Sequence, residues 1–159
     1  LENELVYGRS FDVPDMDDYV LPIGKARIVR EGSDVTIVSY SIGVGFSLEA
    51  AEKLAEEGID VEVVDPRTVF PLDRAAILDS LKKTGRLVVA DEARSAGSMA
   101  NQIAAIAAGE GFRYLKAPVT CITTRDLPIA YSPPLETAMI PDAARIADGI
   151  RTIMKERAA

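Results

Sequence analysis

The sequence predicts an α/β domain built on a mostly parallel sheet with helices on both faces. Three observations carry that expectation. From residue 25 onward, short apolar runs rich in β-branched residues alternate with stretches of helical periodicity. The runs at 35–40, 61–64, 87–90 and 119–123 are apolar on both sides of the pleat, as strands covered on two faces are. Helical stretches separate them, and right-handed crossovers of that kind join parallel neighbours.

The elements follow in order. Residues 1–7 read as the end of a strand or a linker. Residues 11–19, with Asp12, Asp15, Asp17 and Asp18, read as an acidic loop. Residues 25–30 alternate weakly and form a short strand, and 31–34 a turn. The strand at 35–40 leads into a helix over 41–57, where Val44, Leu48, Ala51 and Leu54 recur at helical spacing and Gly58 supplies the stop.

Residues 61–73, VEVVDPRTVFPLD, are the most informative stretch. Val61, Val63 and Val64 make a buried strand that ends at a charged corner, Asp65 and Arg67. Pro66 and Pro71 end the extended run, and Asp73 is placed to cap a helix over 75–83. Ile77, Leu78 and Leu81 share one face of that helix, and Gly85 follows it. After the strand at 87–90 comes a helix over 98–108 with Met99, Ile103 and Ile106 inward. Residues 125–141 read as a Pro-rich loop. Residues 142–157 form the last helix, with Ile146, Ile150, Ile153 and Met154 on one stripe.

Composition narrows the function classes. The 159 residues, 48% of them hydrophobic, suit one core. Eighteen basic against 25 acidic residues give a net charge of −7, with no basic patch for nucleic acid. No apolar run approaches the roughly 20 residues that span a bilayer. The first segment is acidic and lacks the apolar centre of a signal peptide. Cys121 stands alone, so no disulfide forms within the chain, and a reducing compartment fits. With no His, triads and zinc sites built on His are excluded within this chain. The chain begins abruptly at Leu1 without a Met, as a piece of something longer would.

Candidate sites gather at the carboxyl ends of the strands. Gly43-x-Gly45 opens a helix after a strand, and Asp65 lies where a ribose-binding acid would, but Leu48 stands where a dinucleotide fingerprint needs its third glycine. A tight turn at a helix start is the plainer reading. Asp91 and Glu92, with Arg94 behind, offer a carboxylate pair for acid–base work. With no nucleophile or His nearby, a salt-bridged strand end or an interface corner is the better reading. Thr123, Thr124, Arg125 and Asp126 end the last strand, and with Asp65, Arg67, Asp91, Glu92 and Arg94 they set alternating charge along one sheet edge. Such an edge binds a small anion or, preferably, packs against another domain or subunit through paired charges. Ala100 and Ala104–Ala108 make a small-residue helix that lies close to the sheet. Tyr131, Pro133 and Pro134 form a docking surface or a plain covering loop.

Several motifs then run in a telling order: Leu1-Glu-Asn-Glu-Leu-Val-Tyr7-Gly8, Leu21-Pro-Ile-Gly-Lys-Ala26, Asp34-Val-Thr-Ile-Val-Ser-Tyr40, Asp65-x-Arg-Thr-x-x-Pro-Leu-Asp73 and Lys83-Thr-x-Arg-Leu-Val88. The series resembles the beta subunit of the thiamine-diphosphate-dependent decarboxylating component of 2-oxo acid dehydrogenase complexes, over its carboxyl-terminal, transketolase C-terminal-like half. The resemblance implies a three-layer α/β/α domain with a mixed, mostly parallel five-strand sheet. Residues 25–30 are the candidate for the antiparallel strand. It implies that residues 1–24 are a linker from a missing pyrimidine-binding domain and 25–159 the domain itself.

It implies, further, an oxidoreductase that acts on a 2-oxo acid with a lipoyl acceptor. Its partners are an alpha subunit, a second beta subunit and a dihydrolipoyl acyltransferase core, with neither nucleic acid nor membrane among them. Thiamine diphosphate belongs to the parent enzyme and is not expected on this chain alone, which carries no catalytic, cofactor or metal residue of the family. The interface candidates are Asp126, Tyr131, Glu136, Arg125, Asp91 and Glu92. The bacterial cytoplasm or the mitochondrial matrix is the expected location. Asp91-Glu92-Ala93-Arg94 and Ser132-Pro133-Pro134-Leu135-Glu136 look more like acetoin than pyruvate dehydrogenase subunits. The alternatives are the same domain of a branched-chain enzyme, the same domain of a sugar-phosphate synthase of the transketolase group, and a free-standing flavodoxin-like module that binds a small ligand.

Overall fold

A computed structural model describes residues 3–8 and 10–156. Five strands form one sheet in the order β1-β3-β2-β4-β5: β1 (Arg27–Arg30), β2 (Val35–Ser39), β3 (Val61–Asp65), β4 (Leu87–Arg94) and β5 (Thr120–Thr124). β1 runs antiparallel to β3, with Arg27 opposite Asp65 and Ile28 opposite Val64; the other three pairs are parallel. The antiparallel strand is thus the weakly alternating one at the edge. Its place there needs burial on fewer sides.

Helices α1 (Ile42–Ala55) and α5 (Ala143–Lys155) cover one face, and α2 (Arg74–Thr84) and α3 (Met99–Gly109) the other. The strands alternate between the two cores. Val35, Ile37, Val61 and Val63 meet Leu54, Ile146, Ile150 and Ile153 on the first face. Val38, Val64 and Val89 meet Ile77, Leu81 and Ile103 on the second. Each fully buried Ile, Leu or Val stabilises by about 1.5–3 kcal/mol relative to exposure.

Local chemistry sets the ends of the helices. Asp73 caps α2, accepting from Ala76 N at 3.3 Å, and Gly85 closes it with φ 79°, a left-handed turn that a side chain would resist. Asp73 also accepts from Ala26 N at 3.1 Å, so one carboxylate ties the entry of β1 to the start of α2. Ser98 and Asp142 cap α3 and α5 in the same way.

Several expectations change in detail; Met99, for one, is half-buried at the edge of α3, where Ala100, Ile103, Ile106 and Ala107 face inward. The inward stripe of α1 is rotated: Gly43, Ser47, Ala50, Ala51 and Leu54 are buried, and Val44 and Leu48 lie half-buried on its flank. The cause is close approach, for a Cβ at Gly43 would overlap Ser39 Oγ, so the smallest residues of the helix face the sheet. β4 runs on to Arg94 through an irregularity between Asp91 and Arg94. Within the Pro-rich segment, Pro133–Thr137 forms a short helix, α4, with proline at its first turn, where a fixed φ and a missing N–H cost nothing. Near the start, Glu4–Val6 is a 3-10 turn, not a strand end, while Leu1 and Glu2 lie outside the described residues, as does Arg157 of the last helix.

One feature of β3 escapes a reading of apolar pattern. Glu62 is 0% exposed, between Val61 and Val63. It faces α2, where it accepts from Ser80 Oγ and pairs with Lys83 Nζ. Thr36 Oγ1, beside it on β2, lies 2.7 Å from Ser80 Oγ and 2.8 Å from Thr84 Oγ1. Lys83 also pairs with Glu31 at 2.7 Å. These two carboxylates, Glu31 first, hold the lysine above its usual range. A buried charge is tolerated only with such partners.

Asp73→Ala should therefore lower stability by about 1–2 kcal/mol, the loss of a cap and of a second hydrogen bond. Coincident denaturant midpoints for the two proteins would refute the capping role. Lys83→Met should cost about 1–3 kcal/mol by leaving Glu62 without its cation. That is less than for a fully buried pair because the lysine is half exposed. Urea unfolding at neutral pH reads it, and an unchanged midpoint would mean that Lys83 does not neutralise Glu62.

Candidate functional site

In an open α/β sheet the favoured binding crevice lies beyond the carboxyl ends of the strands, where successive crossovers diverge. Here β2 feeds α1 on one face and β4 feeds α3 on the other, and β2 and β4 are neighbours. The crevice therefore opens between Tyr40–Ser41 and Asp91–Glu92.

Asp91 is 6% exposed, and its carboxylate is fully engaged. It accepts from Ser98 Oγ at 2.6 Å and from Ala93 N at 3.0 Å. Ser98 Oγ in turn accepts from Ala100 N at 2.9 Å, so Asp91 braces the start of α3. The Tyr40 hydroxyl faces the same carboxylate. Burial first, then Asp91 and Glu92, push that hydroxyl well above its usual range, so it stays protonated as a donor. Burial also lifts the Glu92 carboxyl, and the Asp91 charge adds to this, while a hydrogen bond from Asn3 opposes it. Asn3 Nδ2 donates to Glu92 Oε2 at 3.0 Å. The remaining space at this point is about 170 Å³, lined by Leu5, Ile42, Phe46, Glu92, Ile140 and Asp142. Thus the 3-10 turn near the start of the chain and the segment before α5 border the crevice.

The glycine turn is closed as well. Ser41 takes φ 57° at the bend, and Gly43 lies against Ser39, whose Oγ donates to Ala90 O at 2.9 Å. Gly43 thus serves helix–sheet packing. Asp65, the candidate ribose acid, accepts from Arg67 N at 2.8 Å and braces the corner after β3.

The other predicted residues lie farther along the edge. Arg125 and Asp126 are exposed in a polar cleft of about 440 Å³ at the end of β5, shared with Thr123, Thr124, Arg145 and Asp148. Tyr131 and Glu136 are exposed on the segment that leads through α4. The structure brings Asp91 and Glu92 together with Tyr40, and Arg125 with Asp126. Sequence reasoning did not single out Tyr40, Asn3, Ser98 or Arg145. Arg145 donates to Met139 O at 2.7 Å and Thr123 O at 3.0 Å, and so holds the 125–141 segment onto β5. Ser98 was legible as a helix cap; the other three meet their partners only through the fold.

Comparison with known proteins places this architecture. Residues 24–146 match the family described as transketolase, C-terminal domain. The pyruvate dehydrogenase E1 component subunit beta of Rhizobium meliloti (strain 1021) is 44% identical over 96% of this chain and 33% of its own length. The acetoin:2,6-dichlorophenolindophenol oxidoreductase subunit beta of Cupriavidus necator is 45% identical over 97% of this chain and 45% of its own. The mitochondrial pyruvate dehydrogenase E1 component subunit beta-1 of Arabidopsis thaliana is 49% identical over 89% of this chain and 40% of its own. The chain thus spans less than half the length of these relatives. Among solved structures, a split gene transketolase described as an inactive beta4 tetramer superposes with a TM-score of 0.78 and 28% identity, over 92% of this chain and 48% of that one.

The Glu92 environment yields a pH test. Its folded pKa lies above its unfolded one, so the native state holds the proton more tightly and ionisation at neutral pH costs stability. Glu92→Gln keeps an acceptor for Asn3 without the charge. Its denaturant midpoint should exceed the native protein's at pH 7, and the gap should close as pH falls below the ordinary carboxylate range. A lower midpoint at pH 7 would make the ionised Glu92 a net stabilising group.

Proposed function

The chain belongs to the transketolase C-terminal domain family, and on that premise we propose that it is the assembly domain at the carboxyl-terminal end of a beta subunit in a 2-oxo acid dehydrogenase decarboxylating component, of pyruvate or acetoin type. The observation that carries this reading is the narrowness of the crevice. The place where such a sheet would hold a ligand is bordered by Asn3, Leu5 and the 137–142 segment, with about 170 Å³ left, and Asp91 there braces the start of α3. What the edge leaves exposed is charge and apolar surface for partners: Arg125, Asp126, Tyr131 and Glu136.

In this reading the parent enzyme decarboxylates its substrate with thiamine diphosphate and acylates a lipoyl group. The described residues of this chain are a poor fit to that cofactor at the one turn that suggests it. A diphosphate needs a cradle of free N–H groups and a cation to neutralise it. The glycine turn is packed against Ser39, and the described residues hold no group of three or more His, Cys, Asp or Glu that could take a metal ion. The cofactor would therefore be held elsewhere in the parent. The domain's own work is contact with an alpha subunit, with a second beta subunit and with a dihydrolipoyl acyltransferase core. Relatives named from bacteria and from mitochondria suit the bacterial cytoplasm or the mitochondrial matrix. No helix among the described residues is long and apolar enough to cross a membrane.

The 125–141 segment is the proposed contact with the acyltransferase core. It carries four prolines, which limit the entropy lost on binding, and exposed carboxylates that would steer a basic partner. Asp126→Lys with Glu136→Lys, placed in the assembled alpha–beta enzyme, should weaken core binding roughly tenfold at low salt and flatten its salt dependence. Decarboxylation by the free enzyme with an artificial electron acceptor should stay at the native level. Unchanged core affinity at low salt would place the contact on another surface.

A further inference from the structure

The corner between β3 and α2 carries two unsatisfied features side by side. The first is an open apolar groove of about 790 Å³ between the 69–72 loop and α3, lined by Val69, Phe70, Leu72, Met99 and Ile106. Phe70, at its rim, is 93% exposed. Among the described residues that line it, Arg74 alone is charged, and it pairs with Glu110 at 2.7 Å; Lys25 and Arg67 stand exposed on the adjoining segments.

The second feature is the strap at residues 10–23, which carries no strand or helix. Phe11, Val13, Met16, Tyr19, Val20 and Ile23 are all at least half exposed along it. Between them stand Asp12, Asp15, Asp17 and Asp18, with no Lys or Arg from residue 10 to 24. Apolar surface exposed on this scale marks an interaction site.

The strap ends at the groove's edge. Gly24 N donates to Thr68 Oγ1 at 3.1 Å, and a Cβ on Gly24 would come within 2.9 Å of Pro71 Cγ. None of residues 10–23 lines the groove of its own chain. An acidic, apolar strap and an apolar groove with Lys25 and Arg67 exposed beside it thus adjoin on one surface, each complementary to the other. A two-fold axis beside the corner satisfies both at once, because an isologous contact exchanges the same two elements in both directions. We propose that the strap of one copy lies in the corner groove of a second copy, and reciprocally. Apolar side chains of the strap cover Phe70 and the α3 face, and its aspartates meet Arg67 and Lys25 at the rim, beside the Arg74–Glu110 pair. This rests on the reading that the domain pairs with a second copy, and assigns that contact to a surface.

Charge exchange tests it on the 159-residue chain by sedimentation equilibrium at low salt. The strap variant carries Asp15→Lys, Asp17→Lys and Asp18→Lys; the groove variant carries Lys25→Glu and Arg67→Glu. All five side chains are exposed, so folding is not at stake. The native chain should pair, and each variant alone should pair at least about tenfold more weakly. An equal mixture of the two should recover pairing, since each strap then meets a groove of opposite charge. Phe70→Ser should weaken native pairing without a change in far-UV circular dichroism. If the native chain pairs and the strap variant pairs as tightly, or the mixture does not recover, this surface is wrong while pairing itself stands. If the native chain stays monomeric to high concentration, pairing fails as well.

Discussion

Burial of the central strands on both faces is the constraint from which the rest follows. β2, β3 and β4 leave almost no side chain in water over their first four residues. Parallel strands in that position need cover above and below, and only crossover helices supply it. Two helices on each face are the result, and the strand order places the divergence of crossovers between β2 and β4. Every residue discussed as a candidate site takes its position from that arrangement.

Polar groups inside such a sheet have to be matched, and the chain matches them at both ends. At the amino ends of the strands, Glu62 is held by Ser80 and Lys83, with Thr36 and Thr84 extending the network from sheet to helix. At the carboxyl ends, Asp91 is held by Ser98 and the Ala93 N–H, and Tyr40 points at it from the neighbouring strand. Matched groups of this kind orient helices against strands. Asp91 in particular is turned inward to the start of α3, where it positions that helix against the sheet.

The acidic strap, the groove beside Phe70 and the 125–141 segment are exposed and apolar beyond the needs of the fold, and each has charge at its margin. A domain whose interior is complete and whose surface is not is suited to assembly. Its relatives are named as subunits of multi-component enzymes, in keeping with that character.

The order of elements was legible because it depends on local pattern: β-branched runs for strands, and Asp73, Gly85 and Asp142 for helix ends. Periodicity blurred where a neighbour decided the outcome. α1 turned because Gly43 approaches Ser39 from another element, and β4 lengthened because β5 offered Thr124 as a partner for Arg94. α4 was hidden because prolines stop a helix anywhere but in its first turn. Glu62 broke no pattern that a strand with two buried faces forbids, since a charge there is acceptable only when Lys83 and Ser80 arrive from α2. The crevice at Tyr40, Asp91 and Glu92 was visible only as three residues near strand ends. That Asn3, 89 positions away from Glu92, reaches it is a fact of long-range contact. The sequence by itself determined the strands, the helices and their caps, because these depend on neighbours within a few residues. Tertiary structure alone decided which charges are matched and which surfaces stay open, because that depends on groups brought together by the sheet.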